Sequence, residues 1–164
     1  TQIDVENQPA WCNLAATYSL LGQYEQAVDA YRQAAELGDL VDSVMIGLAD
    51  AHLRLENYQR AVNVLETLLR RSTSAIAQKQ LGYALFRLRR FEQALASYRQ
   101  AVELAPQDTA ALNGVGTCLM TLYIQGPRDS SAQRDEAVEA WRRSLRIRRH
   151  QPRIIDLLSR YGRL

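Results

Sequence analysis

The side chains best suited to nucleophilic, proton-transfer or metal chemistry in this 164-residue chain are two histidines, His52 and His150, two cysteines, Cys12 and Cys118, and a single lysine, Lys79. A general base needs a partner within hydrogen-bond reach, and the two histidines lie 98 positions apart without a neighbouring acid that would complete a dyad. His52 falls where other parts of the chain place Tyr18 or Leu85, so packing is its expected role. His150 follows Arg148 and Arg149, where a solvated cation beside a helix C-terminus accounts for it. Cys12 has no histidine close in sequence to activate it, and neither cysteine belongs to a CxxC or Cys/His cluster that would hold zinc. Gly114 and Gly116 lack the spacing of a dinucleotide fingerprint, and Lys79 follows Gln78 where a phosphate-binding loop needs glycine. The residues therefore point away from an enzyme, and no metal or cofactor is expected.

Charge offers a different chemistry. Twenty basic against eighteen acidic residues give a net charge of +2, but the halves differ. Through Ser74 there are 5 basic and 10 acidic residues, and from Ala75 onward 15 and 8. The excess is concentrated near the end, where Arg142, Arg143, Arg146, Arg148, Arg149, Arg153, Arg160 and Arg163 face only Asp156. A solvated basic helix face is the plain account, and an acidic partner the functional one. Nucleic acid is a less favoured partner, because basic clusters alone discriminate poorly. The acidic first half and basic second half also allow copies of the chain to associate head to tail.

The elements that position these residues come from an internal repeat. The segment YEQAVDAYRQAAEL at 24–37 recurs as FEQALASYRQAVEL at 91–104, with YQRAVNVLETLL at 58–69 between them and a weaker copy, DEAVEAWRRSL, at 135–145. Upstream of each runs a second pattern: Trp11, Leu14, Ala15 and Tyr18; Met45, Leu48, Ala49 and His52; Gln78, Leu81, Gly82 and Leu85; Leu112, Val115, Gly116 and Leu119. Spacings of three and four place each set on one helical face. The pattern predicts helices near 9–21, 24–37, 42–55, 58–71, 75–88, 91–104, 109–124 and 133–149. Gly22, Asn57 and the Pro106 to Asp108 stretch supply stop and start signals. A loop-like insertion of about nine residues near 125–134 separates the last pair, either as a tolerated lengthening or as a flap. Ile154, Leu157, Leu158 and Tyr161 predict a closing helix over 152–162.

A helix pair of about 34 residues carrying Trp-x-x-Leu-Gly/Ala-x-x-Tyr, then Ala, an aromatic, Ala and Pro, resembles the tetratricopeptide repeat. Trp11, Leu14, Ala15, Tyr18, Ala27, Tyr31 and Ala34 fill the signature in the first copy, and Leu81, Gly82, Ala94, Tyr98, Ala101 and Pro106 in the third. Leu68 departs from it, standing where a small residue is usual. The resemblance implies an all-α, right-handed α-α superhelix (solenoid) in a single domain spanning 1–164. About four helix pairs, at 8–41, 42–74, 75–108 and 109–150, would precede the C-terminal capping helix.

The resemblance further implies a non-catalytic scaffold that takes a protein or peptide in a groove lined by the first helices. Register then nominates Asp50, Arg54, Lys79, Tyr83, Phe86, Arg87, Asn113, Thr117 and Met120 as groove residues, with Tyr83 and Phe86 either aromatic anchors or, for Phe86 above all, packing residues. Arg142, Arg146, Arg149 and Arg153 form the separate basic patch. Co-chaperones of this family that grip a C-terminal carboxylate use a Lys and an Asn four apart on their first helix. Cys12 and Ala16 stand there in this chain, so no such clamp is expected.

The uncharged stretch from Asn7 to Tyr24 is broken by Pro9, Asn13, Gly22 and other polar residues, short of the ~20 apolar residues of a membrane span. Cys12 and Cys118, 106 positions apart, are expected ~30 Å from each other at about 10 Å per helix layer, too far to bridge. Two free thiols tip the expected location slightly toward the cytoplasm. The absence of an initiator Met at Thr1 suggests processing or excision from a longer chain.

Overall fold

The computed structural model describes residues 7–37, 41–126 and 131–162. Among them are nine α-helices: α1 (Gln8–Leu20), α2 (Tyr24–Glu36), α3 (Asp42–Arg54), α4 (Tyr58–Leu69), α5 (Ala75–Arg87), α6 (Phe91–Leu104), α7 (Thr109–Gln125), α8 (Ser131–Ile147) and α9 (Pro152–Tyr161). They gather into two compact units, Thr1–Thr73 and Ser74–Leu164.

In the first unit α1 pairs with α2 and α3 with α4, and α2 also packs on α3. Helix α1 starts where the Asn7 side chain accepts a hydrogen bond from the Ala10 amide at 3.1 Å and Pro9 occupies the first turn. Small residues set the closeness of the pairs: Ala15, Ala27, Ala34, Ala49 and Ala61 are fully buried. Tyr31 fills the space between layers, its ring lying so near Gly47 of α3 that an added Cβ there would collide with it. Trp11, Leu14, Tyr18 and Leu48 close the edges of this core.

The second unit repeats the scheme and extends it. Tyr98 of α6 rests on Gly82 of α5 and on Gly114 of α7, where an added Cβ would come within 2.9 and 2.5 Å of the ring. Trp141 of α8, with no exposed surface, plays the same part against Gly116. Burial pushes the Cys118 thiol up to about 12 and makes it a packing group without thiolate character at neutral pH. Gln151, only 5% exposed, ties the end of the unit together: its amide donates to the Ser144 carbonyl at 3.1 Å and to the Arg148 carbonyl at 2.8 Å. Helix α9 follows and buries Ile154.

Three turns inside the pairs are alike. Gly22, Glu56 and Arg89 have φ of 74°, 57° and 62°. The next amides, of Gln23, Asn57 and Arg90, donate back to the carbonyls of Tyr18, His52 and Leu85 at 2.9, 2.8 and 2.9 Å. These are Schellman closures, in which a left-handed residue lets the chain reverse while satisfying the last carbonyls. Asn57 is therefore the residue after the left-handed position, which Glu56 occupies. The insertion near 125–134 is also more helical than its composition suggests: α7 runs to Gln125 and α8 starts at Ser131, each 17 residues long. The rest of the expected loop, 127–130, lies outside the described residues.

Candidate protein-interaction site

On α5, burial of Ala77, Leu81, Gly82, Ala84 and Leu85 fixes which side meets its neighbours. The opposite stripe carries Ile76, Lys79, Gln80, Tyr83 and Arg87 at helical spacing. Tyr83 is 40% exposed. Its hydroxyl accepts a hydrogen bond from Arg87 Nη1 at 2.8 Å, and the same guanidinium lies 5.8 Å from the ring centroid. The pair presents a flat apolar surface edged by a cation. Phe86, one position round, is half-buried and meets Phe91 edge-on at 5.2 Å between centroids, so it braces the α5–α6 corner.

Lys79 is turned to a structural task. Its Nζ donates to Asp108 Oδ2 at 2.6 Å, while the other carboxylate oxygen caps α7 by accepting from the Ala110 and Ala111 amides at 2.9 and 3.0 Å. Burial pushes the Asp108 carboxyl up, but the Lys79 hydrogen bond and charge and the two amides outweigh it and hold the group below the usual carboxylate range. Asn113, in the corresponding place on α7, donates to Gln151 Oε1 at 2.7 Å. Gln151 is the N-cap residue of α9, so each side chain reaches the start of the helix two further along the chain.

The remaining nominated residues divide. Thr117 is half-buried on the open side of α7. Met120 is only 3% exposed: its unbranched side chain has folded into the core, which removes it from any open surface. Asp50 and Arg54 of α3, in the first unit, form an exposed ion pair at 3.6 Å. Arg146 pairs with Glu139 at 2.7 Å, and with Arg142, Leu145 and Arg149 it lines an open hollow of about 440 Å³. Arg153 is exposed at the start of α9 and does not line the hollow.

Two exposed isoleucines on α5 and α7 were not nominated. Ile76 is 53% and Ile124 59% exposed. Each lies seven positions from a nominated residue, Tyr83 and Thr117, and extending the helical stripe by two turns would have found them.

His52 is 3% exposed, its Nδ1 lacks a hydrogen-bond partner, and burial followed by the charges of Arg32 and Arg60 pulls its pKa below the ordinary 6.5. No group of three or more His, Cys, Asp or Glu able to hold a metal occurs among the described residues. No helix there is long and apolar enough to cross a membrane.

Models of the tetratricopeptide repeat match residues 9–37, 46–109 and 79–122. The chain belongs to the tetratricopeptide repeat family. It is 24% identical over 111 residues to "BBSome complex member BBS4" of Bos taurus and 25% identical over 112 residues to the same member from Mus musculus. Each alignment covers 68% of this chain but 21% of the relative, so the matched stretch is about a fifth of those proteins.

Among solved structures, YrrB, described as a tetratricopeptide repeat protein with an unusual peptide-binding site, superposes with a TM-score of 0.72 at 25% identity, covering 89% of this chain and 71% of that one. MamA from Desulfovibrio magneticus RS-1 gives 0.77 at 21% identity, with 94% and 81% covered. The fold class is thus the all-α superhelical repeat of the family, whose members are in general non-catalytic scaffolds for protein interaction.

Proposed function

We propose that this tetratricopeptide repeat chain is a non-catalytic interaction module and that it takes a peptide segment of a partner protein along the open side of α5 and α7. The observation that carries the reading is Tyr83, a large aromatic held 40% exposed on a first helix with Arg87 over its ring and on its hydroxyl. Tyrosine and arginine are, with tryptophan, the side chains enriched where binding energy concentrates; tyrosine offers large contact area at low rotamer cost, and arginine adds a fork of charged donors. Ile76 on the same stripe and Ile124 on α7 add exposed apolar surface, and Thr117 adds a half-buried hydroxyl on α7. The ligand class that fits is a segment with an apolar anchor and an acidic residue near Arg87. YrrB, similar in fold and 25% identical, is described as having a peptide-binding site, which supports a peptide as the partner.

The test is peptide-display selection on the whole chain beside a Tyr83→Ala variant, with folding checked by circular dichroism. Phe86 is left intact because its contact with Phe91 would confound the result. Enrichment of a consensus that the folded variant fails to bind supports the site. Identical enrichment by both proteins, or none by either, rejects it.

A further inference from the structure

The hollow on α8 lies on a different helix from Tyr83 and has a chemistry of its own. Its walls are Arg142, Leu145, Arg146 and Arg149. Spacings of three and four put Arg142, Leu145 and Arg146 on one face of α8, and Arg149 stands just past its last residue, Ile147. Arg146 is partly neutralised by Glu139 at 2.7 Å. No carboxylate among the described residues pairs with Arg142 or Arg149, and both are exposed. The floor is Leu145, half-buried, and the methylene stems of the arginines extend that apolar surface toward the rim.

We infer that this hollow docks an acidic protein segment that places an apolar side chain on Leu145 and carboxylates on Arg142 and Arg149. The charge demands an anion, and guanidinium groups match carboxylates in a two-pronged geometry that a point charge does not. The apolar floor favours a peptide over a bare anion, because it gives a leucine-sized side chain a place to leave water. A nucleic acid strand fits less well: no aromatic side chain lines the hollow to stack a base, and Glu139 beside Arg146 repels a phosphate track. The site is distinct from the α5 and α7 surface and stands or falls separately from it.

The experiment is fluorescence anisotropy on the full chain at low salt with a labelled 12-residue peptide of three Glu-Glu-Leu-Glu units. The comparison ligands are the same peptide with Gln for every Glu and a 12-nucleotide single-stranded DNA. Saturable binding of the acidic peptide is expected, with affinity reduced about tenfold by Arg142→Ala/Arg149→Ala and by raised salt. Both arginines are exposed, so the variant should fold, which circular dichroism verifies. Tyr83→Ala should leave this binding unchanged. The proposal is overturned if no saturation occurs, if the Gln peptide or the DNA binds as well, or if the arginine variant binds like the parent. Loss on Tyr83→Ala in place of the arginine variant would assign the peptide to the α5 and α7 surface.

Discussion

Lys79 Nζ lies 2.6 Å from Asp108 Oδ2, joining the middle of α5 to the N-cap of α7. The carboxylate thereby serves three donors: one ammonium and two backbone amides. Asp108→Ala should destabilise the second unit by about 1–2 kcal/mol, the usual cost of losing an N-cap. Lys79→Met should cost less, because with 31% and 23% of the two side chains exposed the pair is partly screened by solvent. The pH dependence follows from the lowered Asp108 pKa: its contribution is present above the ordinary carboxylate value of 3.8 and is lost as pH falls through the folded value. Urea denaturation of the parent and the two variants between pH 7 and pH 3 checks this. Equal stability of Asp108→Ala and parent at pH 7 would refute it.

His52 supplies a pH effect in the first unit at higher pH. A buried imidazole with a lowered pKa binds its proton more readily in the unfolded chain, so stability is full above about 6.5, the unfolded value, and declines as pH falls below it. His52→Leu, which installs the residue that Leu85 provides in the third helix pair, should remove that slope and leave the unit more stable at pH 5.5 than the parent. Thermal melts across pH 8 to 5 measure both. A slope unchanged in the variant would show that other groups cause it.

Tyr98 and Gly114 should behave as one unit of packing. Gly114→Ala puts a methyl within 2.5 Å of the ring, and the overpacking should cost about 1–3 kcal/mol. Tyr98→Leu leaves a cavity and is destabilising alone, but it vacates the space the new methyl needs. The double variant should therefore be more stable than the sum of the single changes predicts, by more than about 0.5 kcal/mol. Additivity within that margin in a denaturant cycle would show that the ring has another way to move.

The helix pairs were legible because their signals are periodic. α6 occupies the 91–104 expected from its copy of the repeat, and α2 and α5 end within one residue of the expected limits. The small residues at 15, 49, 82 and 116 were legible for the same reason. Side-chain destinations were less so. Register nominates Lys79 and Asn113 for the groove, yet their tips bend to partners 29 and 38 positions later, Asp108 and Gln151. Helical phase specifies a direction from the axis and says nothing about where a long side chain finds its acceptor. Met120 shows the same limit: a flexible apolar side chain at the border of the stripe turns inward because burial favours it. The start of α8 at Ser131 was hidden by Gly126, Pro127, Asp129 and the serines, whose loop signal outweighed the helix-forming residues that follow.

The three Schellman closures at Gly22, Glu56 and Arg89 also bear on how the chain reaches its structure. Each reverses the backbone within a few residues, so a helix meets its first partner from the immediately following segment, and the entropy lost in closing the loop is small. Contacts that are near in sequence make for a short conformational search, and repeats of this kind can nucleate at any pair and propagate outward. The left-handed residue at each closure is thus a hinge in time as well as in space: it determines how soon two helices that must pack can find each other.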